Sequence, residues 1–359
     1  MPSLLVNPMR VEKCKEFALL DERILRWLAE PTASSAESAG KSFDDVVVAT
    51  AATGDKIPHL LSKKAKTIFY LGKRVEIPEG FVYVPPGEFL MGEGANPPEG
   101  PEHKVWLDGF CIGKYEVTNA EWKAFTDATG FTPLPSHWKG GQIPEGKENH
   151  PVVNVSWEDA KAYCEWVSKE TGREVRLPTE AQWEKAASWD PRKRQKHTYP
   201  WGNDWNPRNC NWQGACALKY GLKVTSDGTV PEWDAFAKTE KYKEMANAGG
   251  YTTPVGSFAK DKSPWGCYDM AGNAYEWCSD WFHSEYYKAK GVKKNPEGPS
   301  EEEAEVCDFS GKKYKARVLR GGSWYVNSGI CRAVNRGRLY PSGRGVCDFG
   351  FRVAVCGAR

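Results

Sequence analysis

From Ser156 to Gly172 the apolar residues Ala160, Tyr163, Cys164 and Val167 recur at i, i+3, i+4 and i+7, the spacing that lines one face of a helix. Ser156 supplies a start signal and Gly172 a stop, so an amphipathic helix is predicted between them. Two further helices carry equally explicit starts. Thr118 followed by Glu121 forms a capping box ahead of Trp122 and Phe125, with Gly130 as the stop, and Thr179 with Gln182 opens a third helix in LPTEAQWEKAA. Elsewhere short apolar runs are broken by Gly, Pro and Asn. FVYVPPGEFLMG, Phe81 to Gly92, reads as one strand. The stretch of roughly 140 residues after Ala187 predicts short strands and loops with no long helix and no internal repeat.

Residues 1–78 have a different texture. Cys14, Phe17, Ala18, Leu25 and Leu28 recur at helical spacing, PTASSAESAGKS reads as a loop, and DVVVAT (Asp45 to Thr50) and KTIFYLG (Lys66 to Gly72) read as strands. The pattern predicts a small α/β region over 1–78 ahead of a larger domain over 79–359.

Composition narrows the function classes. The chain has 359 residues, 40% hydrophobic and 27% charged, with a formal charge of +2, so nothing in the balance points to a nucleic-acid or anionic-membrane partner. The basic run PRKRQKH (Pro191 to His197) reads as a solvated loop. No stretch approaches the roughly 18 apolar residues of a membrane span, and the start carries no signal-peptide pattern, which leaves the compartment open. Eleven cysteines without a C-x-x-C pair predict mostly free, buried thiols, with one or two bridges as the alternative. Sixteen tryptophans predict a rigid aromatic core under much irregular backbone. Dinucleotide and P-loop signatures are absent. None of the six histidines is placed at i, i+3 or i+4 from another, so no helical metal pair is visible.

The ordered set VPPGEFLMG, EVTNAEW, HPVVNVSWEDAKAYCEW, RLPTEAQWEKAA, YPWGN, NWQG, GCYDMAGNAYEW, VLRGGSW and GFRVA resembles the domain of formylglycine-generating enzymes (sulfatase-modifying factors) over about residues 80–355. That resemblance implies an α+β, C-type-lectin-like fold, low in regular secondary structure, with its first and last strands close together. It also implies copper held by two cysteines in the oxidase members. Here the second of those positions is Cys331 but the first is Val326, which has no lone pair for a soft metal. No enzyme activity is expected on that ground. Sulfoxide synthases sharing the domain imply an H-x-x-x-H-x-E iron set, for which residues 1–80 offer only His59. Asn211 and Asn273 match positions that bind structural calcium in family members; the alternative is that both cap turns. Glu276 and Asp280 are expected to pair with Arg332, Arg336, Arg338 and Arg344 rather than to act as an acid/base couple.

Between Trp324 and Gly350 lie 25 residues with no Lys, Glu, Gln, Met or Trp, types that make up about a quarter of the chain. At average composition such a window arises about once in a thousand draws. The variable proteins of diversity-generating retroelements resemble this segment: RGGSW, then positions rewritten by adenine-directed mutagenesis, then GFRV. Rewriting of AAC or AAT codons reaches none of those five residue types. The resemblance implies a variable region over about 320–354, with a scaffold of Cys331, Arg332, Ala333, Arg336, Pro341 and Arg344. Ligand-contacting positions would be Tyr325, Val326, Asn327, Gly329, Ile330, Asn335, Gly337, Leu339, Tyr340, Gly343, Gly345, Val346 and Cys347. Their aromatic and aliphatic content suits a protein ligand. The expected function is non-catalytic ligand binding with no required cofactor, structural calcium aside. Display on a cell or phage surface is implied by the family. The alternative is a metal-dependent oxidoreductase of the formylglycine-generating enzyme or sulfoxide synthase type with an altered site.

Overall fold

The computed structural model describes residues 59–225, 228–288, 293–309, 311–345 and 348–356. The helix expected over Val11–Leu28 and the strand over Asp45–Thr50 lie outside them. Within the amino-terminal region, Ala65–Tyr70 and Lys73–Pro78 pair as a hairpin. Its turn is Leu71 and Gly72, both at positive φ, the geometry that matches strand twist in a two-residue hairpin.

The three helices form where the pattern places them. Asn119–Thr129 (α1) begins at Thr118, whose backbone N–H donates to Glu121 Oε2 at 2.8 Å, and ends at Gly130 in the left-handed region. Trp157–Thr171 (α2) has the reciprocal Ser156–Asp159 capping box and buries Ala160, Tyr163, Cys164 and Val167. Glu180–Ser188 (α3) starts at the Thr179–Gln182 box and is buried along its whole length. After α3 no described helix exceeds eight residues, yet three short ones occur: Gln213–Lys219 (α4), Trp233–Phe236 (α5) and Glu240–Asn247 (α6).

FVYVPPGEFLMG is two strands, not one. Phe81–Val84 pairs with Phe110–Gly113, while Gly87–Met91 pairs with His103–Leu107 in a different sheet. Pro85 and Pro86 lack the N–H groups a continuous ladder needs, so the chain changes sheet there. Phe110–Gly113 lies between Phe81–Val84 and Ala354–Cys356, which brings the first and last strands of the domain into one sheet. A second sheet has the order Gly337–Leu339, Arg317–Arg320, Tyr275–Trp281, Phe349–Gly350; its last pairing is parallel and the others antiparallel. The architecture is α+β, of the C-type-lectin-like kind, with many short strands and few helices.

Aromatic rings fill the space between α1, α2 and the second sheet. Trp122 stacks on Tyr163 at 5.7 Å, and Phe351 meets both edge-on. Asp280, on Tyr275–Trp281, is buried and accepts from the Glu180 backbone N–H at 2.9 Å and from Ser279 Oγ at 3.0 Å. Burial, and then the neighbouring Glu180 carboxylate, pushes the Asp280 carboxyl up to about 7. The folded state therefore holds this proton more tightly than the unfolded chain does. The stability it contributes is full below the ordinary Asp range, near 3.9, and is lost as pH rises to about 7. Asp280→Asn should be more stable than the parent at pH 8, by on the order of 1–3 kcal/mol, with little difference at pH 4. Urea titrations at the two pH values check this; an equal effect at both would refute the assignment.

Candidate functional site

Arg320 ends the central strand Arg317–Arg320 and is fully buried. Its guanidinium pairs with Glu184 of α3 and donates to the carbonyls of Val334 at 2.8 Å and Asn335 at 2.7 Å. One buried side chain thus ties the far part of the C-terminal segment to a helix. Gly321 and Gly322 follow at positive φ. A Cβ on Gly322 would meet Cys331 Sγ, Ile330 O and Val326 Cγ2, each at 3.2 Å, so the backbone there passes directly under the segment it introduces.

Trp324 is buried among Trp233 and Phe236 of α5, Tyr242 and Met245 of α6, and Cys216 of α4. The three short helices together build the socket for the tryptophan of RGGSW. Val326 O accepts from the Gln213 N–H at 3.0 Å, and Tyr325 O from the Gln213 side-chain amide at 3.1 Å. The first loop of the segment therefore rests on the NWQG turn.

The residues expected to be fixed are held. Cys331 and Ala333 are buried, and Ala333 N–H donates to Thr198 O at 2.8 Å. Arg336 makes a bidentate pair with Glu180 at 2.7 and 2.9 Å. Arg332 reaches Glu93 and Glu99, each at 2.8 Å, and Arg344 reaches Asp159 at 2.7 Å. Arg338 lies over the Phe282 ring. The partners are not those expected from sequence. Glu276 belongs to Arg352 of GFRVA, through two contacts of 2.6 Å, and Asp280 makes no ion pair among the described residues.

The expected contact positions divide. Asn327 and Gly329 are exposed; Tyr325, Val326, Ile330, Asn335, Gly337, Leu339, Tyr340 and Gly345 are half-buried. Val346 and Cys347 lie outside the described residues. Gly343 is buried, contrary to a solvent-facing position, because the chain packs it against Leu339: a Cβ would stand 2.4 Å from Leu339 Cδ2. Tyr340 stacks on Tyr314 at 4.7 Å, and the Asn335 amide donates to Glu99 at 2.9 Å. Beside Gly337–Leu339 opens a hollow of about 260 Å³, floored by Tyr275, Leu319 and Phe349 and rimmed by Arg338 and Asp308.

Two metal readings can be tested against this geometry. Val326 packs in the cluster of Cys210, Trp212 and Cys331, where it offers only methyl groups, so the two-cysteine copper pattern is not met by these positions. Cys210, which sequence reasoning missed, shares this buried cluster with Cys331 instead. Asn273 Oδ1 accepts from the Thr253 N–H at 2.9 Å, from Thr253 Oγ1 and from Asn211 Nδ2, each at 3.2 Å, while its Nδ2 donates to Glu116 at 2.7 Å. These contacts suit an asparagine holding a turn, and Asn273 itself sits at φ 64. A calcium ion at Asn273 would have to displace these donors, whereas the buried Asn211 Oδ1 has no hydrogen-bond partner among the described residues. Among the described residues no three His, Cys, Asp or Glu side chains converge on a metal-sized space.

A formylglycine-generating enzyme from Thermomonospora curvata is 31% identical, over 71% of this chain and 86% of the relative. In structure, Treponema denticola variable protein 1 shares the fold with a TM-score of 0.53 at 23% identity, over 82% of this chain and 99% of that one. PvdO from Pseudomonas aeruginosa has the same TM-score and coverage at 27% identity. Residues 71–356 match the sulfatase-modifying factor enzyme 1-like domain, and the chain belongs to that family.

Proposed function

We propose that this protein binds a protein ligand, without catalysis, through the face built by residues 325–345, and that a retroelement diversifies that face. The observation that carries the reading is the division of the segment. Cys331, Ala333, Val334 and Arg336 are buried or ion-paired to fixed elements, while Asn327 and Gly329 are exposed and Tyr325, Val326, Ile330, Asn335, Gly337, Leu339 and Tyr340 keep part of their surface in solvent. Anchors that do not vary let the backbone stay ordered whatever the intervening side chains are, which removes a loop-ordering cost from binding. The hollow beside Gly337 gives such a ligand a place for one apolar side chain against Tyr275 and Phe349.

One observation favours a second reading, an oxidoreductase of the same family with an altered site. Two thiols do stand together, although Cys210 rather than Val326 supplies the second. The two readings separate in a formylglycine assay: protein supplied with Cu(I) is expected to leave a cysteine-containing substrate peptide unchanged. Conversion of that peptide, lost on Cys331→Ala, would overturn the binding proposal. At the gene, a near-copy of the codons for Arg320–Ala354 differing at its adenines, beside a reverse transcriptase, is the expected signature of diversification; a locus with neither removes that part of the proposal.

Stability should follow the same division. Asn327→Ser and Gly329→Ser, at exposed positions, should shift unfolding free energy by about 0.5 kcal/mol or less. Arg336→Met takes the bidentate partner from buried Glu180, leaving it only the Arg320 ion pair at 3.8 Å, and should cost about 3–5 kcal/mol. Equal losses in a thermal or urea denaturation series would contradict the separation of anchors from face.

A further inference from the structure

The eight cysteines whose side chains are described are all buried and unbridged, and most are single thiols in apolar packing. Cys210 and Cys331 differ. They come from chain positions 121 residues apart and share one small buried cluster with Trp212 and Ala271; Cys331 Sγ also approaches Asn327 O at 3.6 Å. The surroundings keep the two sulfurs together. Gly322 leaves room beneath Cys331 that any Cβ would take, and Gln213 fastens the loop of Val326 to the turn that carries Cys210.

We infer that Cys210 and Cys331 form an oxidisable dithiol whose disulfide staples the C-terminal segment to the NWQG turn. The inference concerns the frame and does not depend on what the face binds. Disulfide formation needs a two-electron acceptor, and a small disulfide such as oxidised glutathione supplies it. One cysteine thiolate attacks the small disulfide, forming a mixed disulfide and releasing one glutathione thiolate. The second cysteine thiolate then attacks the protein sulfur, the protein S–S bond forms, and the second glutathione leaves. The two protons given up by Cys210 and Cys331 end on the two glutathione thiols.

Timing follows from burial. Both side chains are fully enclosed, and burial holds the Cys210 thiol protonated, well above the usual cysteine range. The folded, reduced protein therefore exchanges slowly. The bond forms while the chain folds in an oxidising medium, when both sulfurs are still accessible. It would then tie the C-terminal segment to a fixed turn in addition to the ion pairs of Arg332 and Arg336, whatever residues occupy 325–330.

The test uses the full chain, reduced, unfolded and then refolded in a glutathione redox buffer, with remaining free thiols alkylated before trypsin digestion and mass spectrometry. Cleavage after Arg208, Lys219, Arg320 and Arg332 yields Asn209–Lys219 and Gly321–Arg332. The expected product is these two peptides joined and lighter by two hydrogens, with fragmentation placing the bond at Cys210 rather than at Cys216 in the same peptide. The native reduced protein should resist the same buffer over a time in which refolding protein oxidises fully. Cys331 recovered fully alkylated from protein with native tryptophan fluorescence, or bonded to a different cysteine, would overturn the inference. Because the mapping is made on the parent protein, it does not rely on a variant folding. Cys210→Ser serves as the control in which Cys331 becomes alkylated. A failed disulfide leaves the binding proposal untouched, and a peptide oxidised in the copper assay leaves this one untouched.

Discussion

Three guanidinium groups, those of Arg320, Arg336 and Arg352, are buried with almost no solvent contact, and the C-terminal segment can occupy its place only if each finds a carboxylate. A charged group left alone in a protein interior costs several kcal/mol, so the pairing works as a positional constraint more than as a net source of stability. Glu184 and Glu180 sit one helical turn apart on α3 and take Arg320 and Arg336; Glu276, on the strand Tyr275–Trp281, takes Arg352. The guanidinium forks then spend their remaining donors on backbone carbonyls: Arg336 on Pro98 and His283, Arg352 on Gly113 and Tyr268. Loops with no regular ladder of their own acquire hydrogen-bond partners this way. Α3 is buried on all sides because it is the carboxylate-bearing core of this arrangement.

From that frame follows the character of the candidate site. The segment between Trp324 and Gly350 needs little regular structure beyond the edge strand Gly337–Leu339 to be ordered, since its ends are set by the Trp324 socket and by Phe349–Gly350, and its middle by Arg332, Arg336 and Arg344. What the frame leaves over is a set of short surface loops whose side chains decide little about folding. This is the physical condition for a binding face that changes while the fold does not. The frame itself does not decide between binding and catalysis, because it fixes backbone near Val326 and Cys331 without specifying what they do.

Helix starts were legible in the sequence because a capping box is local: Thr118 and Glu121, or Thr179 and Gln182, are three residues apart and their bonds close within one turn. The α2 face was legible because burial on a helix repeats with the helical period. The ion pairs were only half legible. Arginines at this density announce carboxylate partners, but Arg336 and Glu180 are 156 residues apart, and no periodicity links them. Glu276 and Asp280 looked like partners for the segment because they sit near it on the same strand; the strand turns Glu276 toward Arg352, and Asp280 spends its oxygens on a helix N-terminus. Cys210 was invisible for the same reason, being a single thiol in an asparagine-rich turn. The break at Pro85–Pro86 did have a local signal, two missing donors in succession, and the apolar run around it outweighed that signal.

The glycines of the segment sharpen what variation there can mean. Gly343 lies against Leu339, and Gly345 against the Phe349 ring, where a Cβ would stand 2.6 Å away. Gly337 faces Tyr275 and Leu319, each at 3.2 Å from the same hypothetical atom. These glycines are therefore small because their neighbours are large. A bigger residue at 343 needs a smaller one at 339, whose Leu Cδ2 is the end of a flexible side chain, and a small shift from the Tyr340 carbonyl at 3.0 Å; Tyr275 and Leu319 belong to the frame and cannot be traded. Residues in contact give non-additive effects, so the face is a set of coupled pairs rather than a row of independent positions. Paired substitutions at 339 and 343 would move volume from one place to the other and reshape the surface without emptying or overfilling it. Position 337 is bound to the fixed floor of the hollow, which would keep one feature of the site constant under substitution elsewhere.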